Sequence, residues 1–60
     1  MSNVTIRFWS TQFGRYVEND SDYVTGNGMD NCWVWNDLLD EYVYDENVTP
    51  HFYKDGERIV

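Results

Sequence analysis

A single cysteine in a chain of 60 residues sets the strongest limit on how this protein can fold. Domains of this size bury only about 60% of the surface of the unfolded chain, and disulfides or metals often stabilise them. Cys32 has no partner for an intramolecular disulfide, and one histidine with one cysteine cannot supply the four ligands of structural zinc. The core must therefore come from large side chains, and the chain has three Trp, five Tyr and three Phe. We expect a single domain over residues 1–60 with marginal stability, and a homodimer stays open.

The sequence shows no sign of export or of a membrane segment. No stretch approaches the roughly 20 apolar residues that a membrane-spanning helix needs. The first ten residues, MSNVTIRFWS, lack the charged start and long apolar run of a secretory signal. A lone cysteine agrees with a reducing compartment. We expect a cytoplasmic protein that does not contact membranes.

Both ends of the chain predict antiparallel strands. Apolar side chains alternate with others in residues 3–9 (NVTIRFW), which is typical of a half-buried strand. A turn around Gly14 would pair it with a second strand in residues 15–20, which SDYVT extends or follows as a third strand. Near the other end, Asp55-Gly56 suits the two-residue turn of a hairpin in which Phe52 faces Ile59.

Residues 32 to about 44 predict an amphipathic helix. At about 100° per residue, one arc gathers the side chains expected in the core: Cys32, Trp35, Leu38, Leu39, Tyr42 and Val43. The opposite arc holds Trp33, Asp37, Asp40, Glu41, Tyr44 and Asp45. Asp30 or Asn31 would cap this helix at its start, and Pro50 would follow its end. The predicted fold class is α+β, with a small antiparallel sheet of three to four strands and one helix packed on it.

The carboxylates are segregated from the cations. A net charge of −7 is ordinary for a small domain, but no lysine or arginine lies between Arg15 and Lys54. That interval holds nine carboxylates: Glu18, Asp20, Asp22, Asp30, Asp37, Asp40, Glu41, Asp45 and Glu46. On a helix, like charges three or four residues apart cost about 0.2–0.5 kcal/mol per pair, and carboxylates at its C-terminal end oppose the helix dipole. Such local conflict is frequent at functional sites.

Carboxylates on a rigid scaffold resemble the phosphates of a nucleic acid and can compete for the same Lys/Arg groove. We therefore predict that the partner-binding face is formed by Asp37, Asp40, Glu41 and Asp45. Asp20, Asp22, Asp30 and Glu46 would extend it, and Trp33 and Tyr44 would anchor it, since Trp and Tyr dominate interface hot spots. Two alternatives stay open: the charge run is only a solvated face, or a loop covers Trp33.

Other classes of function find less support. His51 is the only histidine, and no serine or cysteine stands near it with an orienting acid, so we expect no enzyme and no cofactor. The acidic segment from Glu18 to Asp30 lacks the glycine and the closing glutamate of an EF-hand loop, which disfavours a calcium or magnesium site. Direct nucleic-acid binding is not expected either, because base-stacking platforms work with a basic groove.

As a class, the chain resembles the small acidic inhibitors that bacteriophages use against host defence, including DNA-mimicking anti-CRISPR and anti-restriction proteins. The acidic set from Glu18 to Glu46, above all NDLLDEYVYDEN, carries this resemblance. The resemblance implies a non-enzymatic inhibitor in the host cytoplasm that occludes a basic nucleic-acid-binding site, for instance in a type I CRISPR effector complex. A generic protein-interaction module that uses its aromatic surface is the alternative, followed by a divalent-cation binder.

Overall fold

A computed structural model describes residues 3–26 and 31–60. These residues form seven strands and one short 3-10 turn, Asp20–Asp22. The strands are β1 (Val4–Ser10), β2 (Arg15–Tyr16), β3 (Tyr23–Thr25), β4 (Cys32–Asn36), β5 (Glu41–Tyr44), β6 (Val48–Lys54) and β7 (Glu57–Arg58). Within the two described ranges, no helix is long and apolar enough to cross a membrane.

The strands form two antiparallel sheets. Sheet A has the order β2-β1-β6-β7, and sheet B has the order β3-β4-β5. β1 and β6 pair along their whole length, from Val4 opposite Lys54 to Ser10 opposite Val48. This long pair is the framework of the fold, and sheet B packs against one side of it.

The predicted α+β class is wrong, because residues 32–44 form a β-hairpin and not an amphipathic helix. Cys32–Asn36 and Glu41–Tyr44 are strands joined by a four-residue turn. Trp and Tyr favour strands. They alternate along β4 and β5 with the two-residue period of a sheet, and this pattern fits the segment as well as a helical arc does. The hairpin also avoids stacking carboxylates at helical spacing, which removes the repulsion that a helix would impose.

The change from helix to hairpin moves most of the expected core residues to the surface. Cys32 is fully buried, as predicted, and Val43 is only half-buried. Four others are exposed: Trp35, Leu38, Leu39 and Tyr42. Asn31 caps no helix, and Asp30, the other predicted cap, lies outside the described residues.

The predicted turns at both ends of the chain are confirmed. Gly14, at φ 66°, lies in the turn between β1 and β2. Asp55 and Gly56, at φ 52° and 88°, form the two-residue turn between β6 and β7, the type I′ geometry that needs two residues with positive φ. Beyond that turn the Ile59 amide donates to the Phe52 carbonyl, 2.8 Å away, so these two residues face each other as expected.

The prediction that Pro50 follows the end of a helix is wrong, because Pro50 lies buried within β6 opposite Phe8. Its backbone nitrogen has the same orientation as that of Phe52, whose amide donates to Val60 on the side away from β1. Pro50 therefore lacks an N–H only on the side of β6 that faces away from β1, and it removes no hydrogen bond between β1 and β6.

The core is small and aromatic. Besides Pro50, four hydrophobic side chains are buried among the described residues: Phe8, Cys32, Val48 and Phe52. Phe8 of sheet A stacks on Tyr23 of sheet B, with ring centroids 5.3 Å apart. This contact joins the two sheets, and Ile6 and Val17 pack around it.

Candidate functional site

The turn of the β4–β5 hairpin is rigidly built by its own side chains. The Asn36 side-chain oxygen accepts hydrogen bonds from the amides of Leu38 and Leu39, both at 3.0 Å. The Asn36 carbonyl accepts a third from the Asp40 amide at 2.8 Å. Asp40 closes the turn at φ 56°, a left-handed conformation that Asp and Asn adopt more readily than most residues. The turn therefore presents Leu38, 96% exposed, on a fixed support.

One face of sheet B is an exposed aromatic surface. Directly opposite strand residues point to the same side, and Trp33 lies opposite both Val24 and Tyr44, while Trp35 lies opposite Tyr42. We call this the aromatic face; it consists of Val24, Trp33, Trp35, Tyr42 and Tyr44. Each of these side chains is between 36% and 52% exposed. Exposed aromatic groups of this size mark interaction sites more often than isolated apolar residues do.

Contacts between rings hold the aromatic face in place. The Trp33 and Tyr44 rings lie 5.3 Å apart, and those of Trp35 and Tyr42 lie 5.2 Å apart, edge to face. Gly26 leaves room for the Trp33 indole, since a Cβ at this glycine would come within 2.7 Å of Nε1. The face is preorganised, so that a binding partner would not have to order these side chains.

Three of the predicted site carboxylates lie at the tip of the hairpin. Asp37 accepts a hydrogen bond from the Trp35 indole N–H at 2.9 Å, which ties the first of them to the aromatic face. Asp40 and Glu41 follow in the turn and at the start of β5, and both are exposed. We call residues 32–44 the acidic hairpin, and Asp37 to Glu41 its tip. The sequence predicted that these acids share a face, but the turn brings them together, not a helical arc.

The other predicted site residues divide between the two ends of sheet B. Tyr23 opposes Val34, so the exposed Asp20 and Asp22 lie beside the end of β4 that leads to the tip. Glu46 is exposed in the turn after β5, at the opposite end. Asp30 lies outside the described residues. The strand register thus places Asp20 and Asp22 at the same end of sheet B as the tip, and Glu46 at the other end.

Asp45 has a structural role that the sequence did not indicate. One carboxylate oxygen accepts a hydrogen bond from the Tyr23 hydroxyl and the other from the Asn47 amide, both at 3.0 Å. The side chain is half-buried at the base of the hairpin. Desolvation of the Tyr23 ring, together with its hydrogen bond to Asp45, raises the pKa of Tyr23 to about 12. Asp45 therefore fixes the hairpin to the core instead of extending the acidic tip.

The Tyr23–Asp45 hydrogen bond predicts a loss of stability at high pH. Because the pKa of Tyr23 is higher in the folded than in the unfolded protein, the folded state holds this proton more tightly. Its stabilising effect is complete below about pH 10 and disappears as the pH rises towards 12. We expect Tyr23→Phe to lower the free energy of unfolding by about 1.5–3 kcal/mol at pH 7, the range for a hydrogen bond to a charged group.

Urea unfolding of both proteins at several pH values would test this expectation. Between pH 10 and 12 the difference between wild type and Tyr23→Phe should shrink. Tyr42→Phe, which changes an exposed tyrosine, serves as the matched control. A difference that stays constant across this interval would show that the phenol proton is not coupled to folding.

Sheet A carries a second surface that the sequence analysis did not single out. Two alternating triplets, Thr5-Arg7-Trp9 and Thr49-His51-Tyr53, point away from the core on the paired strands β1 and β6. The alternation within each segment indicates a strand, but only the register between β1 and β6 brings the two triplets together on one face.

No metal-binding cluster among the described residues and no known relative accounts for these surfaces. Among residues 3–26 and 31–60, no group of three His, Cys, Asp or Glu side chains could hold a metal ion. Comparison with protein-family models, with curated proteins and with solved structures found no match to this chain.

Proposed function

We propose that this protein is a non-enzymatic inhibitor whose acidic hairpin occupies a basic, nucleic-acid-binding site of a partner protein. The observation that supports this most is the joining of an exposed aromatic face to a tip of three carboxylates, without a lysine or arginine between Arg15 and Lys54. Aromatic side chains supply binding energy, and carboxylates supply attraction to a basic surface.

The physical basis of the proposal is competition for the same cations. A site that binds nucleic acid holds Lys and Arg side chains against phosphates, and its affinity depends on neutralising them. The hairpin tip offers carboxylates on a turn that Asn36 holds rigid. Trp33, Trp35 and the two tyrosines offer ring faces to cations or to apolar parts of the groove. The partner would be a host-defence complex in the cytoplasm, such as a type I CRISPR effector, as in the DNA-mimicking inhibitors that this chain resembles.

A second candidate function follows from the apolar tip. Leu38 and Leu39 are 96% and 59% exposed, and neither would gain from contact with a strongly charged groove. These two side chains favour an interaction module whose partner offers an apolar pocket. In that case the carboxylates keep the exposed hairpin soluble, and binding depends little on charge.

Affinity capture from a bacterial lysate separates the two candidates. The wild-type protein is immobilised and retained proteins are identified by mass spectrometry, with and without excess duplex DNA in the wash. We expect the immobilised protein to retain proteins that normally bind nucleic acid. Duplex DNA should release them by occupying the cations of their binding site, and added salt should release them by screening those cations. Retention that is indifferent to DNA and salt would overturn the proposal and favour the apolar module.

The matched control is the D37N/D40N/E41Q protein, which we call the tip variant. An asparagine at position 37 can still accept the Trp35 hydrogen bond, and asparagine tolerates the positive φ at position 40. Since like charges at the tip are also relieved, we expect the tip variant to be as stable as wild type or slightly more stable. It should capture much less of the DNA-releasable protein.

A further inference from the structure

The outward side of sheet A is a basic and aromatic surface. Opposite strand residues share a side, and the register therefore groups eight of them: Thr5, Arg7, Trp9, Tyr16, Thr49, His51, Tyr53 and Arg58. We call this set the basic face. It lies on the opposite side of sheet A from the buried Phe8, Val48 and Phe52, so it is independent of the core.

Contacts between the rings make the basic face rigid. The Trp9 and His51 rings stack with centroids 5.7 Å apart and nearly parallel. Tyr16 reaches across β1, where its hydroxyl bonds with that of Tyr53 and lies 3.0 Å from Nδ1 of His51. The Arg7 guanidinium lies over the Tyr16 ring, 3.9 Å from its centre. A partner that binds here would meet an ordered surface, as the acidic hairpin does on the other sheet.

The charge of the basic face is opposite to that of the whole protein. Arg7 and Arg58 are exposed on it, and none of the strand residues of this face is a carboxylate. Glu57 is the neighbour of Arg58 in sequence. It lies opposite Lys54 in the strand register and points to the other side of sheet A. Burial, with the nearby Arg58 charge, lowers the pKa of His51, so the two guanidinium groups provide the charge at neutral pH.

We propose that the basic face binds the acidic hairpin tip of a second copy of this chain. From the usual spacing of strands, the Cα atoms of Arg7 and Arg58 lie roughly 12 Å apart, a distance that a four-residue turn can span. The tip would place carboxylates near both guanidinium groups, and Leu38 would cover the stacked Trp9 and His51 rings. Trp, Tyr and Arg, the types that dominate interface hot spots, form most of this face.

A second copy fits the basic face better than a nucleic acid does. Two arginines can neutralise only a short run of phosphates, and the net charge of −7 repels a long polyanion. A second copy carries the same net charge, but its tip sets only Asp37, Asp40 and Glu41 against the face, and it also brings two exposed leucines that association would bury. The fold, moreover, buries few hydrophobic side chains among its described residues, which leaves association as a source of further apolar burial.

The contact would be heterologous, because it joins two different surfaces of the same chain. Such contacts produce open chains or closed rings of copies and not a symmetric pair. The tip also serves the proposed inhibitory function, so self-association and partner binding would exclude each other. The self-association proposal does not rest on that function, however, since the basic face plays no part in it.

Sedimentation velocity over a wide range of protein concentration tests the contact with two complementary variants. The face variant, R7E/R58E, retains an intact tip, and the tip variant retains an intact basic face. We expect wild type to form oligomers that dissociate with added salt and each variant to sediment as a monomer. A mixture of the two variants should yield a one-to-one heterodimer, since only one productive contact remains. Arg15→Glu, which changes the same charge outside the basic face, should behave as wild type.

Three results would overturn this inference: a wild-type protein that stays monomeric throughout, variants that each associate as strongly as wild type, or a mixture that forms no heterodimer. Circular dichroism confirms that each variant folds, and R7Q/R58Q replaces the face variant if charge reversal unfolds it. Binding of a fluorescent single-stranded oligonucleotide by wild type, lost in the face variant, would assign the face to nucleic acid instead. Failure of self-association would leave the lysate capture unaffected, because that capture depends on the tip and not on the basic face.

Discussion

Phe8→Ala is expected to unfold most of the protein at room temperature. Phe8 is 6% exposed and joins the two sheets through its stacking on Tyr23. Replacing a buried phenylalanine with alanine costs about 3–5 kcal/mol. A domain of this length has a total stability of roughly 3–9 kcal/mol, since native proteins gain about 0.05–0.15 kcal/mol per residue. With so few buried side chains we expect the lower end of this range, where the loss is comparable to the whole free energy of unfolding.

Urea denaturation followed by tryptophan fluorescence would measure this effect. Phe13→Ala is the matched control, because the same side chain is removed from a position that is 67% exposed. We expect the control to change stability by less than about 0.5 kcal/mol. Equal effects of the two substitutions would contradict the placement of Phe8 between the sheets.

Tyr44→Ala is expected to weaken partner binding about 30-fold, which corresponds to about 2 kcal/mol, the threshold for an interface hot spot. Tyr44 is 52% exposed on the edge strand β5, and its ring packs against that of Trp33 on the central strand of the aromatic face. Its removal takes away one ring and leaves the Trp33 side chain less well held. The stability of the free protein should fall much less, by about 0.2–1 kcal/mol for one cross-strand pair.

Titration of the captured and purified partner by isothermal calorimetry gives this affinity. Phe13→Ala again provides the comparison, since it removes an exposed aromatic side chain from the β1–β2 turn, away from the hairpin. If Tyr44→Ala and Phe13→Ala bind the partner equally well, the aromatic face is not the anchor of the interface.

The parts of the fold that depend on local sequence could be predicted. Alternation in residues 3–9 predicted β1, and Asp55-Gly56 predicted the turn between β6 and β7, because each pattern fits one backbone geometry. Residues 32–44 fit two geometries. Their apolar side chains form a helical arc, yet Trp33, Trp35, Tyr42 and Tyr44 also alternate as in paired strands.

The sequence of residues 32–44 alone does not decide between these two geometries. Strand β4 pairs with β3 as well as β5, so its formation depends in part on Tyr23–Thr25, which lie outside the hairpin segment. The turn itself depends on the Asn36 side chain and on positive φ at Asp40, both easily mistaken for ordinary helix positions. The local pattern predicted a helix for this central strand, but nonlocal pairing outweighs that pattern in the folded protein.

The candidate site was predicted in composition more than in geometry. Asp37, Asp40 and Glu41 lie together, and Trp33 contacts Tyr44, so these predicted members remain candidates. Asp45 became a structural residue because its partner, Tyr23, lies 22 positions away in the sequence. Pairing across such a distance leaves no local pattern in the chain. The basic face depends in the same way on the register between β1 and β6.

The measurement that tests the proposed function most directly is the affinity of the purified partner for wild type and for the tip variant across a series of salt concentrations. If carboxylates at the tip occupy a basic groove, wild-type affinity should fall steeply with salt, and duplex DNA should compete for the same site. The tip variant should bind at least tenfold more weakly at low salt and with a shallower salt dependence, since about 1.4 kcal/mol is a factor of ten. Equal affinities of the two proteins at every salt concentration, with no competition from DNA, would contradict the proposed function.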